Sequence, residues 1–319
     1  FSSAGSNDPD PGDSIRFEWD FDGNGTVDSV DPNPTFTYTT RGVFVARLTV
    51  TDSSGKVGAA NTTITVGNTS PTVTLTIPVD GGTFAFGDNI PFSVTVSDPE
   101  DGAINCAEVE VTFVLGHDTH GHAQTTVNGC SGVLPTDPED VSHGGNVFGV
   151  ISASYTDHGG AGGVPALTTV DQNQIRQKKQ EVEFAVNQSG TNTAATADVG
   201  GGLQRGGLST GDWIELNGPF NLLNINEITF RTSGGTAGGN AGTVEIWRDA
   251  ITAADGGSLL TSVTIAGTAN ATTYASQTFP ISDSGTHRYF LVFQPAAGGP
   301  GNNFFNLNWV EFVGAGVGT

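Results

Sequence analysis

Residues 43–52, VFVARLTVTD, place apolar side chains at alternate positions, and the same period returns along the whole chain. It recurs in TVTLTIPV (72–79), PFSVTVSD (91–98), AEVEVTFVL (107–115), NVFGVISASYTD (146–157), EITFRT (227–232), GTVEIWRD (242–249) and HRYFLVF (287–293). Each run has the length of a strand and is bounded by Gly, Pro, Asp or Asn, the residues that end strands in turns. One stretch departs from the pattern: VDQNQIRQKKQEVEF (170–184) has some helical character but no apolar stripe. It carries Lys178 and Lys179, two of the chain's three lysines, and reads as an extended connector between domains. The fold class predicted is all-β, with sandwiches as the natural architecture.

Charge narrows the partners. The chain has 11 basic against 33 acidic residues in 319. A phosphate-binding face needs clustered Lys and Arg, so nucleic acid and anionic membranes are excluded as expected partners. Acidic loops suit calcium instead. No run is long enough for a membrane-spanning helix, so no membrane insertion is expected. Met is absent even from position 1, which reads as a processed or excised piece. Cys106 and Cys130 fall in one apparent domain and are expected to pair, two buried thiols being the alternative; a disulfide would place the protein in a secreted, extracellular compartment.

Three segments separate, at 1–69, 70–177 and 178–319, giving three tandem β-sandwich domains of Ig-like and jelly-roll type. In the first, FEWDFDGNG (17–25), PTFTYTTRGVFVARLTVTDSSG (34–55) and NTTITV (61–66) resemble a PKD domain. That family usually has a further strand ahead of FSSAGSNDPDPG, so the resemblance implies an edge strand missing or supplied from a preceding region. Such domains are spacers or adhesion modules. Within it Asp20, Asp22, Asn24 and Asp28, with Gly23 and Gly25 between them, offer oxygens at alternate positions, as calcium loops do; surface turn chemistry is the competing reading.

The second segment, PTVTLTIPVDGGTFAFGDNIPFSVTVSDPEDG (71–102) onward, resembles another Ig-like domain of secreted bacterial proteins. DPEDG (98–102) is either a calcium ligand set or a turn. GHDTHGHA (116–123) gathers three of six histidines. If the strand before it continues, Asp118, His120 and His122 share one face and His117 takes the other. Two imidazoles and a carboxylate fit zinc or copper, with His143 as a possible fourth ligand; an exposed polar hairpin is the alternative.

The third segment resembles family 6 carbohydrate-binding modules, on VEF (182–184), GGLQRGGLSTGDWIEL (201–216), ITFRTSGG (228–235), GTVEIW (242–247), GTHRYFLVF (285–293) and FFNLNWVEF (304–312). The resemblance implies glycan binding and a structural calcium, with Glu181 and Glu183 as its acidic pair and Asn308 where an Asp is usual. It also implies a loop-end cleft with Tyr and Trp platforms. Here Gly207 and Ala271 stand at those positions, while the cleft's Asn is kept as Asn306, so the cleft is expected to be weakened. A second surface is expected on the sheet, where Trp213, Glu245 and Trp247 point away from the core and would stack a sugar ring; a covering loop or neighbouring domain is the alternative.

These readings predict a non-catalytic accessory region of a secreted carbohydrate-active protein, with polysaccharide as the partner of its C-terminal module. The alternative is a stalk or filament segment of the cell surface that contacts neighbouring domains or like subunits. An enzyme is not expected, since no nucleophile motif accompanies any cluster and GAGVG (314–318) does not lead from a strand into a helix.

Overall fold

The computed structural model describes residues 1–10, 12–117, 120–137, 146–235, 238–299 and 301–319. These residues form strands and turns, and their helical elements are single 3-10 turns at Cys106–Glu108, Val182–Phe184 and Ala253–Asp255. The protein is all-β. No helix among the described residues is long and apolar enough to cross a membrane. Two compact units form: one comprises Phe1–Thr72, Val96–Asn105 and Tyr155–Thr169, the other Val73–Thr95, Cys106–Ser154 and Val170–Thr319.

The first unit contains an antiparallel sheet of Ile15–Asp20, Gly42–Asp52 and Val57–Val66. Alternation sends Trp19, Ala46 and Leu48 inward with Phe21, and Phe1, Phe17, Tyr38, Val50 and Ile64 pack against them. The two polar tips in this aromatic cluster are satisfied. Trp19 Nε1 donates to Asp31 O at 3.0 Å, and the Tyr38 hydroxyl donates to Phe21 O at 2.8 Å.

A five-stranded sheet, most of it in the second unit, runs in the order Thr83–Phe84, Thr168–Gln177, Val147–Thr156, Glu110–His117, His120–Asn128. A three-stranded sheet joins Thr72–Ile77, Asn89–Ser97 and Ser131–Pro135. Phe84, Ile90, Phe92, Val111, Phe113, Leu134, Ile151 and Ile175 are buried here. The stretch expected to be a connector is thus largely a sheet strand. Residues 168–177 lie between two neighbours, and only Lys179–Glu181 and the turn after it lead onward. Sequence hid this because Ile175 is the single large apolar anchor at the strand's end. Beside it a buried Arg176 spends its guanidinium on Gln174 Oε1 at 2.7 Å and Gly218 O at 3.0 Å. Cys106 and Cys130 are bonded, with Cα atoms 5.1 Å apart.

The rest of this unit is a two-sheet sandwich. One sheet orders Asn187–Ser189, Trp213–Glu215, Tyr289–Gln294, Asn240–Arg248 and Ser258–Ala266. The other orders Asn192–Ala195, Leu203–Gly206, Asn306–Gly314, Ile225–Ser233 and Tyr274–Pro280, with Lys179–Glu181 paired to Asn306–Gly314. Ile214, Val244, Ile246, Leu291 and Phe293 from the first sheet meet Ile228, Phe230, Leu307, Val310 and Phe312 from the second. Each such side chain contributes about 1.5–3 kcal/mol when fully withdrawn from water. That burial fixes the register, and the register decides which side chains are left on the outer face.

Candidate functional site

On the strand Trp213–Glu215 the buried Ile214 turns Trp213 and Glu215 outward; on Asn240–Arg248, Val244 and Ile246 do the same for Glu245 and Trp247. The strand Tyr289–Gln294 runs between them. Pairing sets Trp213 opposite Val292 and Val292 opposite Glu245, while Glu215 faces Phe290 and Phe290 faces Trp247. The face therefore carries two indoles, half-buried, on strands separated by one strand, or roughly 10 Å across the sheet. Phe290 lies between them, 5% exposed, its ring 5.8 Å edge-on from that of Trp213. Trp247 Nε1 donates to Glu245 Oε2 at 3.0 Å, which fixes the indole and engages one of the two carboxylate oxygens.

The lower rim of this face is ionic. Arg288 donates from Nε and Nη2 to the two oxygens of Glu215, at 2.6 and 2.8 Å, and its guanidinium lies 5.2 Å from the Phe290 ring centroid. Asn187 Nδ2 adds a third bond to Glu215 at 2.6 Å. Burial would raise the Glu215 carboxyl, but the Arg288 and Asn187 bonds outweigh it and leave it below its usual range. Phe290 and Arg288 were missed by sequence reasoning, although the alternation of HRYFLVF carries the signal once Leu291 and Phe293 are placed in the core.

The loop-end cleft is present as a cavity of about 380 Å³ lined by Ser233, Gly234, Ala271, Phe305 and Asn306, among others. Asn306 Nδ2 donates to Ser233 Oγ at 3.3 Å. Phe304 and Phe305 are buried and offer no exposed ring. Gly207 has φ +65°, a left-handed backbone that any side chain other than glycine's would strain, and a Cβ there would have to displace the amide of the exposed Asn192.

Among the calcium candidates of this sandwich, Glu183 and Asn308 each keep one buried oxygen without a partner among the described residues, Oε2 and Oδ1 respectively. Asn308, 2% exposed, is the extra residue of a β-bulge, between Trp309 opposite Arg231 and Leu307 opposite Thr232. Its Nδ2 donates to Asp198 Oδ2 at 3.0 Å. Each of the two orphaned acceptors is a hard oxygen of the kind a hard cation takes. Glu181 forms an ion pair with Lys179 Nζ at 2.5 Å. Asp198 was not singled out from the sequence, since nothing local marks it.

In the first unit the carboxylates of Asp20, Asp22 and Asp28 bring oxygens within 4.8 Å of one another. Asp20 accepts the backbone N–H groups of Gly23 at 2.8 Å, Asn24 at 3.2 Å and Gly25 at 2.8 Å. Asn24 donates from Nδ2 to Asp22, and its Oδ1 accepts from Thr26 N; Asp28 accepts from Phe21 N. In DPEDG, Asp98 accepts from Glu100 and Asp101 N, and the Tyr155 hydroxyl donates to Asp101 at 2.7 Å. The Asp20–Asp28 loop spends most of its oxygens on its own turn. In DPEDG, by contrast, the Glu100 and Asp101 carboxylates reach Thr69, Tyr155 and His158, and Asp98 Oδ2 is buried without a partner among the described residues.

The histidine stretch forms a hairpin, the alternative given above, rather than one continuous strand. The strand does not continue past it: Glu110–His117 ends there, His120–Asn128 returns antiparallel, and His117 stands opposite His120 with Leu115 opposite His122. His117 therefore joins His120 and His122 on one face, and the ring-nitrogen ligand atoms of the three lie within 4.8 Å of one another. Asp118 and His143 lie outside the described residues.

A two-sheet β-sandwich with two half-buried indoles on one sheet face thus follows further all-β structure in this chain. Residues 182–314 match the carbohydrate binding module (family 6) and residues 1–66 match the PKD domain. Neither is a catalytic domain. Among solved structures the chain is similar to a beta-1,3-glucan binding family 6 module from Bacillus halodurans, at 24% identity over 42% of this chain and 93% of that one, TM-score 0.34. It is similar to a family 6 module from Clostridium cellulolyticum in complex with xylose, at 29% identity over 42% and 95%, TM-score 0.34. A module from Cellvibrio mixtus lichenase 5A in complex with cellotriose follows at 22% over 42% and 93%, TM-score 0.33. No curated protein matches the chain.

Proposed function

We propose that this chain is the non-catalytic accessory region of a secreted carbohydrate-active protein, built as modules over 1–69, 70–177 and 178–319, and that its C-terminal module binds glycan on the sheet face of Trp213, Glu245 and Trp247. The observation that carries this reading is the pair of half-buried indoles on one face, held by the register of a central strand. The apolar face of a pyranose stacks on an indole, and carboxylate oxygens accept its hydroxyl protons. Glu245, with one oxygen engaged by Trp247, is positioned for that acceptor role. The cleft beside Asn306 has hydrogen-bonding groups and no exposed ring to stack on. A structural calcium would be held by Glu183 and Asn308, where it would supply charge to two acceptors that burial otherwise leaves unpaired.

The test is affinity electrophoresis and calorimetry against soluble β-glucans, xylans and other plant and microbial polysaccharides. Trp213→Ala should abolish binding of whichever glycan the intact chain takes, while Asn306→Ala should leave it within about two-fold. The reverse order would assign the site to the cleft. One observation favours a second, structural reading: the strand Val57–Val66 lies at its sheet edge and is exposed from Val57 to Thr63, a place where a strand from another chain could add. Failure of the intact chain to bind any glycan, together with self-association, would select that reading.

A further inference from the structure

The hairpin end in the second unit has chemistry that glycan binding does not use. His117, His120 and His122 present three imidazoles on one face, with ring centroids 4.0, 5.0 and 5.3 Å apart. His117 Nε2 and His122 Nε2 are 3.2 Å apart. Nitrogens bound tetrahedrally to one ion at 2.0–2.1 Å are separated by about 3.3 Å, so this spacing is already close to an edge of such a site.

The scaffold beneath is stiff. The strand Glu110–His117 is hydrogen-bonded on both sides, to Val147–Thr156 and to His120–Asn128, and buries Val111, Phe113 and Leu115. Gly116 and Gly121 oppose each other between the two histidine-bearing pairs. The Phe148 ring occupies the space where a Cβ of Gly116 would go, and Val114 Cγ1 that of Gly121. Glycine here lets both strands close on the sheet while the histidines stay half-buried or exposed, open to an ion from solvent.

We propose that His117, His120 and His122 form a three-imidazole site for a divalent zinc- or copper-type ion, with further positions open to water or another donor. Neutral imidazole is a borderline donor that suits these ions and not the hard calcium or magnesium. Three nitrogens from next-but-one pairs on one face of a hairpin need little rearrangement to converge. The site does not depend on the sugar-binding reading, because none of its residues belongs to that sheet face.

The experiment uses the full chain without a histidine tag. Cobalt(II) and copper(II) are titrated by absorption spectroscopy, and zinc(II) by competition with a chromogenic chelator. The expected result is one ion per chain, copper held more tightly than zinc, and calcium without effect on either titration. Replacing His120 or His122 by Asn should weaken zinc binding at least 10-fold, and the His117→Asn, His120→Asn, His122→Asn triple variant should lose it. Unchanged far-UV circular dichroism and an intact disulfide in the variants establish that they fold. Zinc affinity in the intact chain equal to that of the triple variant would overturn the proposal.

Discussion

Arg231 grips Asp198 with two parallel bonds, Nε to Oδ2 at 2.7 Å and Nη2 to Oδ1 at 2.6 Å, and Asn308 Nδ2 shares Oδ2. The guanidinium, opposed by burial and aided by Asn308, lowers the Asp198 carboxyl from 3.8 to about 2. A carboxylate depressed in the folded state stabilises it above the unfolded value and loses that contribution as pH falls through the folded one. The C-terminal sandwich should therefore lose stability between about pH 4 and 2 through this group. Asp198→Asn should cost about 2 kcal/mol at pH 7 and almost nothing at pH 2. Parallel thermal melts of both forms across that range check it; equal melting temperatures at neutral pH would remove the pair from the stability account.

Cys106 and Cys130 close a loop with a sequence separation of 24 residues. In the chain-entropy account such a loop adds roughly 3–4 kcal/mol by restricting the unfolded chain. The Cys106→Ser, Cys130→Ser double variant should show a correspondingly lower denaturant midpoint. Mass spectrometry after alkylation without reductant should find no modified thiol in the intact chain.

The sheet face gives a ranking. Trp213 is set against Phe290, whereas Trp247 is oriented by its own bond to Glu245. Removing a dominant stacking ring weakens binding by about 2 kcal/mol or more, some 30-fold. Trp247→Ala should act on this scale. Glu245→Gln should be milder, about 3- to 10-fold, because the amide oxygen still accepts a bond. Isothermal titration with the glycan selected by screening distinguishes the two, and a Glu245→Gln loss equal to that of Trp247→Ala would mean that the carboxylate charge, rather than stacking, dominates recognition.

The strands of the C-terminal sandwich were legible because burial on one side imposes strict alternation; GTVEIW and DWIEL place Trp247, Glu245 and Trp213 outward without any further information. Two things were not legible. Bulges and turns break the count, so the reversal that brings His117 beside His120 could not be read from i, i+2 spacing, and the bulge at Asn308 marks no residue in the sequence. Long-range partners were equally hidden: Asp198 meets Arg231 and Asn308 across separations of 33 and 110 residues, which local pattern does not reach. The polar strand at 168–177 failed for the opposite reason. Its sheet position rests on backbone pairing and on Ile175 and Arg176, not on a repeated apolar signal.

Calcium supplies the last expectation. Glu183 Oε2 and Asn308 Oδ1 are buried acceptors without a donor among the described residues, and such groups cost about 1–3 kcal/mol each unless something satisfies them. A bound calcium would remove that cost, so chelation should lower the melting temperature of the intact chain and added calcium should restore it. Asn308 offers a neutral oxygen where a carboxylate would add charge. Asn308→Asp should therefore bind calcium about 10-fold more tightly, and should be less stable than the parent chain when calcium is withheld, because a second carboxylate then faces Asp198 at the distance where Asn308 Nδ2 now donates. Calorimetric titration and melting with and without chelator separate the two effects. A variant destabilised equally in both conditions would show that Asn308 serves Asp198 alone.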